Sequence, residues 1–302
     1  MLRICTTAIL VSLCWLAPAQ ASWVAKEQLP HIYYVNIAVQ TPVGNRTVSG
    51  QYRLPRNIDN PVPAVIILHS TGGVDSTGLY YVEALNKAGI ATLELDLWTA
   101  HGVAGGSASR PDLPQQTIPD AYAALNYLAT LDEIDASKIG VVGFSWGGVV
   151  SLLSATEKYN QMMNPAGVRF AAHAAHYPIC YLYNNPLVEA AYPELGELGL
   201  EFDFENLTAP VLIQSGGLDD YDLPINCPLM VGGLEPADSE LVELKMYPFA
   251  YHAWDRLEPT WVVEDPFANL GQGGEVTLKA SPWTAYFSRA KVVMHFQTAF
   301  AD

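Results

Sequence analysis

The sequence predicts an α/β protein: a mostly parallel, doubly wound sheet with an antiparallel N-terminal hairpin. Short apolar runs alternate with longer helical stretches along most of the chain, which favours strands separated by crossover helices. The runs are nearly continuous, as in residues 64–68, and this is typical of strands buried on both faces. Hydrophobic residues make up 50% of the 302 residues, which suits one large domain or two small ones, and no internal repeat or low-complexity linker argues for two.

The predicted elements follow in chain order. Residues 32–39 and 47–54 are rich in β-formers and flank a Pro-Val-Gly-Asn stretch at 42–45, which predicts the hairpin. The buried strands are then expected at residues 64–68, 91–95, 139–142, 170–176, 211–214 and 241–247. Helices are expected at residues 79–88, 119–131, 147–157 and 283–300. Residues 181–208 and 256–281 break this alternation, and we interpret both as loops over a site or its rim.

The first 21 residues have the layout of a secretory signal peptide. Arg3 precedes an apolar stretch at residues 4–16, and Ala19-Gln20-Ala21 has the small residues of a cleavage site. We expect cleavage near Ala21, leaving residues 22–302 as a single exported domain, periplasmic or secreted. The alternative is an uncleaved anchor, but the apolar stretch is interrupted by polar residues and is shorter than the roughly 20 residues of a span. No other segment is long and apolar enough to span a membrane.

Charge and cysteine content restrict the partners and the compartment. The formal net charge of −16 opposes binding to nucleic acid or an anionic membrane, so a small molecule is the expected partner.

Cys5 and Cys14 would leave with the signal peptide, and only Cys180 and Cys227 would remain. In an oxidising compartment such a pair favours a disulfide, and the alternative is two separate buried thiols.

The pentapeptide 143–147, Gly-Phe-Ser-Trp-Gly, is the most informative motif in the chain. It follows a predicted strand and precedes a predicted helix, and its flanking glycines allow a strained turn. Such a turn projects the Ser145 hydroxyl from the sheet edge, where it can act as a nucleophile.

A nucleophilic serine needs a base, and the base needs an acid that orients it. Of the seven histidines, His252 directly follows the strand predicted at 241–247, where a base is expected. Asp219 follows the preceding strand and is the expected acid; Asp220 is the alternative, because the sequence does not exclude a shift of one residue. The chain order Ser145, Asp219, His252 is the order found in α/β-hydrolases.

An acyl-transfer site also needs hydrogen-bond donors for the oxygen that becomes negative. The backbone N–H of Trp146, at the start of the helix, is one expected donor. The N–H of Thr71, in the glycine-containing loop 69–73, is the second, although this loop is also explained as a plain tight turn. His69 is expected to orient the loop. Because Thr71 would act through its backbone, replacing it by Ala should change little.

Aromatic residues near the predicted strand ends suggest an apolar acyl or aryl pocket, although core packing explains part of them. These residues are Trp98, Trp146, Tyr177, Tyr221 and Trp254. We expect no cofactor and no metal site, since His173 and His176 are three residues apart on a predicted strand and would point to opposite faces.

Five segments together resemble the dienelactone hydrolase family of α/β-hydrolases. They are Ile-Leu-His-Ser-Thr-Gly-Gly at 67–73, Gly-Phe-Ser-Trp-Gly-Gly at 143–148, Tyr-Pro-Ile-Cys at 177–180, Gly-Gly-Leu-Asp-Asp at 216–220 and Tyr-His-Ala-Trp-Asp at 251–255. The resemblance implies the α/β-hydrolase fold, and exported relatives with a paired cysteine near each loop are similar to Cys180 and Cys227. Ser145 stands where the name-giving enzymes have a cysteine. His101 stands in a region where related sequences tend to have an arginine.

These observations together predict an exported serine hydrolase that cleaves a carboxylic ester or a lactone through an acyl-enzyme intermediate. An acyltransferase or a peptidase could use the same fold and the same three side chains. A non-catalytic binding protein is the alternative from a different class, because function resides in the site and not in the fold.

Overall fold

The computed structural model describes residues 29–42, 44–165 and 167–301. The expected signal peptide, residues 1–21, lies outside these ranges. The main sheet has eight strands in the spatial order β1-β2-β4-β3-β5-β6-β7-β8. The strands are β1 His31–Thr41, β2 Gly44–Leu54, β3 Val62–Leu68, β4 Ala91–Asp96, β5 Ile134–Phe144, β6 Ala172–His176, β7 Val211–Gly216 and β8 Val242–Tyr247.

The sheet is antiparallel at one end and parallel elsewhere. Strand β1 pairs antiparallel with β2, and β2 pairs antiparallel with β4. All remaining neighbours, from β4 through β3 and β5 to β8, pair in parallel. The predicted fold class is therefore confirmed: a mostly parallel sheet that an N-terminal hairpin enters.

Helices cover both faces of the sheet. They are α1 Ser76–Lys87, α2 Leu97–Ala100, α3 Ile118–Leu128, α4 Trp146–Ser154, α5 Glu157–Met163, α6 Pro186–Ala191, α7 Pro193–Leu198, α8 Asn226–Gly232, α9 Pro236–Ser239, α10 Ala268–Gly271 and α11 Pro282–Ala299. Single 3₁₀ turns lie at Pro114–Thr117 and Cys180–Leu182. None of the helices within the described ranges has both the length and the apolar character needed to cross a bilayer.

The central strands are buried on both faces, as their apolar runs predict. Ile66 of β3 packs in the core cluster that includes α3 and α4, while its neighbours Val65 and Ile67 pack in a second cluster with α1 and α11. All three side chains are fully buried. Each such side chain contributes about 1.5–3 kcal/mol to stability through burial, so the middle of the sheet is a rigid base for the loops at its edge.

Both segments interpreted as loops contain regular structure. Residues 256–281 contain an antiparallel hairpin, β9 Trp261–Asp265 and β10 Gly274–Leu278, and residues 181–208 contain helices α6 and α7. Pro266 and two glycines lie between the two strands of the hairpin, and acidic residues within the strands obscure its β pattern. The interpretation as loops was wrong for these two stretches.

Candidate active site

Ser145 lies in a strained turn between β5 and α4. Its backbone has φ 50° and ψ −107°, in a region that side-chain-bearing residues rarely adopt. A Cβ added at Gly143 would lie 1.9 Å from the carbonyl oxygen of Gly147, and one added at Gly147 would lie 2.3 Å from that of Leu68. Only glycine fits at these flanking positions, so the motif is required by the close approach of β5, α4 and β3.

The structure brings together the three side chains that the sequence singles out. His252 Nε2 lies 3.0 Å from Ser145 Oγ, and His252 Nδ1 lies 2.8 Å from Asp219 Oδ2. Asp219 follows β7 and His252 follows β8, so the parallel strands deliver both to the edge where β5 ends. All three residues are buried.

The neighbouring carboxylate has a different role. Asp220 accepts hydrogen bonds from the backbone N–H of Thr277 on β10, at 3.0 and 3.1 Å from its two carboxylate oxygens. Asp219 Oδ1 instead accepts the N–H of Tyr221 at 2.9 Å, which holds the loop after β7 in place. Asp219 therefore faces His252, while Asp220 fastens the β9–β10 hairpin.

The surroundings of His252 favour its charged form. Burial lowers the pKa of this imidazole, but the adjacent Asp219 carboxylate outweighs burial, with smaller contributions from Asp220 and Asp222, and the net pKa is raised. The Tyr177 and Tyr221 rings pack against the imidazole at centroid distances of 4.8 and 5.1 Å. The imidazole is thus held between two rings and prepared to accept a proton.

Two backbone N–H groups beside Ser145 are available as donors. Within the described residues, neither the N–H of Trp146 nor that of Thr71 has a hydrogen-bond acceptor in the protein. His69 holds the loop that contains Thr71: its Nε2 accepts the N–H of Leu97 at 3.0 Å, and its Nδ1 lies 2.7 Å from the Ser70 carbonyl oxygen. Burial lowers the pKa of His69 to about 4, so it is neutral and orients the loop.

A cavity of about 640 Å³ opens at the candidate nucleophile and base. One wall is the β9–β10 hairpin, which contributes the apolar side chains of Val263, Val276 and Leu278. The small-residue segment 104–109 also lines the cavity. The lining is mostly apolar, and it also includes the charged residues Arg256, Glu264 and Asp265.

Two of the five aromatic residues named from the sequence, Tyr177 and Tyr221, line this cavity. Trp146 is buried and does not line it, and its Nε1 donates to Thr117 Oγ1 at 3.1 Å. Trp254 is fully buried in the core cluster beneath the site, and Trp98 lies behind the loop 69–73, where its Nε1 donates to the Thr71 carbonyl at 3.0 Å. The expectation for Trp98 and Trp254 is corrected, because proximity to a strand end does not distinguish a lining ring from one packed underneath.

The segment 251–255 also contains a buried carboxylate that the sequence analysis did not single out. Asp255, three residues after His252, is fully buried and accepts hydrogen bonds from the hydroxyls of Tyr177 at 2.6 Å and Tyr81 at 2.7 Å. Its Oδ2 also lies 3.3 Å from His176 Nδ1. These contacts tie the loop that carries the candidate base to the core, and the resemblance of the Tyr-His-Ala-Trp-Asp segment to the family was the available signal.

A disulfide joins the loops that follow β6 and β7. Cys180 and Cys227 are bonded, and both are buried. The N–H of Cys180 donates to Asp222 at 2.7 Å, and burial raises the pKa of this carboxyl to about 7. Among the described residues, Cys180, Asp222 and Cys227 form the one cluster with the spacing of metal ligands, but sulfurs bonded to each other offer no thiolate.

Replacing both cysteines by Ala should lower the free energy of unfolding by about 2–4 kcal/mol, because the bond restricts the unfolded chain over a separation of 47 residues. Denaturant unfolding of Cys180→Ala/Cys227→Ala and of the wild type, each with and without dithiothreitol, measures this. The reductant should destabilise only the wild type. Equal stabilities of the two proteins without reductant would contradict the prediction.

The chain is similar to several known proteins. An uncharacterized protein of Mycobacterium tuberculosis is 27% identical over 188 residues, 61% of this chain, and the chain spans 62% of that relative's length. Esterase FrsA of Vibrio cholerae is 32% identical over 34% of this chain and 24% of its own. Dienelactone hydrolase from Anabaena variabilis has the same fold, with a TM-score of 0.57 at 19% identity over 89% of this chain and 98% of its own.

The family assignment rests on the match to a family model. The model that describes the dienelactone hydrolase family matches residues 49–268, from β2 to α10. This range contains the Ser145 turn, both loops that carry Asp219 and His252, and the loop of Thr71. The match covers most of the chain, and the protein therefore belongs to the dienelactone hydrolase family.

Proposed function

We propose that the protein is an exported serine hydrolase that cleaves a carboxylic ester or a lactone through an acyl-enzyme intermediate. The observation that carries the proposal is the continuous contact from Ser145 Oγ through His252 to Asp219, beside two backbone N–H groups without an acceptor in the described part of the chain. Membership of a hydrolase family and the similarity to an esterase support the reaction class.

The geometry supports a two-step mechanism. Ser145 Oγ attacks the carbonyl carbon while His252 Nε2 takes the hydroxyl proton, and Asp219 stabilises the imidazolium that forms. The N–H groups of Trp146 and Thr71 bind the oxyanion. The intermediate collapses as His252 gives its proton to the leaving alkoxide, and a water activated by the same imidazole then releases the acid.

The cavity supports a substrate with an uncharged, apolar group next to the ester. Most of the hairpin residues that line it are apolar, and two tyrosine rings lie beside His252. A volume of about 640 Å³ leaves room for an aryl group or a medium acyl chain. Export is supported by the buried disulfide, because such bonds persist in oxidising compartments.

A panel of p-nitrophenyl esters and lactones tests the proposal. We expect turnover of short-chain aryl esters and a single covalent adduct of a fluorophosphonate probe, located on the peptide that contains Ser145 by mass spectrometry. Products formed with and without an added alcohol distinguish hydrolysis from acyl transfer. Absence of both turnover and adduct would refute an acyl-enzyme mechanism and favour a binding protein.

A further inference from the structure

Arg110 is a buried cation beside the site that the mechanism above does not use. It lies in the segment between α2 and the 3₁₀ turn at Pro114–Thr117, and its side chain is 6% exposed. It is not among the residues that line the cavity. Burying a guanidinium costs free energy unless nearby groups balance its charge and accept its hydrogen bonds. The contacts of Arg110 therefore indicate what holds its side chain in place.

The guanidinium contacts both residues that carry the candidate oxyanion donors. Arg110 Nη1 donates to Thr71 Oγ1 at 2.6 Å, and the guanidinium carbon lies 5.0 Å from the centre of the Trp146 ring. On its other side it lies 4.7 Å from the Phe267 ring, and Nη2 is 3.7 Å from Asp265 Oδ1. One side chain thus connects the loop 69–73, the start of α4 and the β9–β10 hairpin.

Thr71 is fixed at two points as a result. Its carbonyl oxygen accepts the N–H of Gly106 at 2.8 Å and Trp98 Nε1 at 3.0 Å, while its hydroxyl is held by Arg110. Bonds to the carbonyl and to the side chain together determine the orientation of the residue, and with it the direction of its free N–H. An oxyanion donor must be held in its final direction before the reaction, since reorientation would reduce its contribution to the transition state.

We propose that Arg110 is a positioning residue for the oxyanion hole, which it assembles by holding Thr71 through its hydroxyl and Trp146 through its ring. This inference rests on the proposed function. It also changes the expectation from sequence for Thr71: the side chain is needed because it carries the hydrogen bond from Arg110, even though the donor is a backbone group. Asp265 and Phe267 extend the connection to the hairpin that forms the pocket wall.

A double-mutant cycle with Arg110→Met and Thr71→Val tests the proposal. Valine keeps the backbone N–H and the branched shape of Thr71 but removes the acceptor. With p-nitrophenyl acetate, each single variant should lower kcat about 10- to 100-fold with KM within about two-fold of wild type, because the loss is confined to the transition state. The double variant should be no slower than Arg110→Met, and the rate of Ser145 phosphonylation should fall in parallel.

Two further variants sharpen the result. Arg110→Lys keeps the charge but lacks the planar fork, so it should remain slow; recovery of wild-type kcat would mean that charge alone matters. Arg169→Met is the matched control, since Arg169 is an exposed arginine paired with Glu157 at the surface, and wild-type kcat is expected. If Arg110→Met fails to fold, Thr71→Val and Arg110→Lys still decide the question.

The opposing outcomes are distinct. Additive losses of kcat in the double-mutant cycle, or an unchanged kcat in the single variants, would overturn the positioning role. A rise in KM confined to anionic esters would also overturn it, because that result would indicate that Arg110 binds the charge of the substrate directly. Wild-type protein that neither turns over esters nor forms the Ser145 adduct would refute the proposed function itself. Normal wild-type activity with insensitive Arg110 variants would overturn only the present inference.

Discussion

Ser145→Ala should reduce kcat for ester hydrolysis by about 10⁶, to a level set by binding and the oxyanion donors alone. Removing the hydroxyl removes the atom that forms the acyl-enzyme, and the strained turn places no other nucleophile in its position. The steady-state rate with p-nitrophenyl acetate measures the loss. A fluorophosphonate probe should label the wild type and leave the variant unlabelled.

Ser215→Ala provides the matched control for this substitution. Ser215 is buried near the end of strand β7, does not line the cavity, and has no hydrogen-bond partner for its hydroxyl among the described residues. It should therefore be labelled and active like the wild type. Labelling that survives in Ser145→Ala would assign the nucleophile to another residue.

Asp219→Asn should lower kcat by about 10⁴ while preserving the fold. The amide is nearly isosteric with the carboxylate, but it neither stabilises the imidazolium nor maintains the tautomer in which His252 Nε2 accepts a proton. The kinetic assay has a second readout in its pH dependence. His252 must be neutral to act as base, so activity is lost as pH falls through its pKa, and Asp219 raises that pKa.

The acid limb of the kcat/KM profile is therefore expected above the ordinary histidine value of about 6.5 in the wild type and at lower pH in Asp219→Asn. Asp220→Asn serves as the matched control. Asn retains a carbonyl oxygen that can accept the Thr277 N–H, so the loss of activity should be much smaller than for Asp219→Asn. Equal losses in the two variants would mean that the loop after β7 acts only as a scaffold.

The main sheet and the positions of the reacting groups were predictable because each had a local signal. Buried strands are apolar runs, and the glycines beside Ser145 are required by backbone approaches within a few residues of the turn and by the adjacent strand β3. Parallel strands end at a common edge, so the residues that follow them meet there. This rule singled out His252 as the base and left Asp219 or Asp220 as the acid.

Features that depend on side-chain contacts between distant segments were not predictable. The β9–β10 hairpin is fastened by Asp220, which lies 57 residues before Thr277 in the chain. Arg110 meets Thr71 across 39 residues and gives no sign of this in its own neighbourhood. In the same way, the local sequence does not predict which tryptophans face the cavity, because this depends on how distant segments pack.

The β9–β10 hairpin begins nine residues after His252 and returns to it. The N–H of Lys279 donates to the carbonyl of His252 at 3.3 Å, and Leu278, which lines the cavity, forms a β-bridge with His252. The hairpin wall of the cavity and the candidate base are thus joined by backbone contacts. Exchanging this hairpin for one of another shape should therefore change the position of His252 as well as the shape of the cavity.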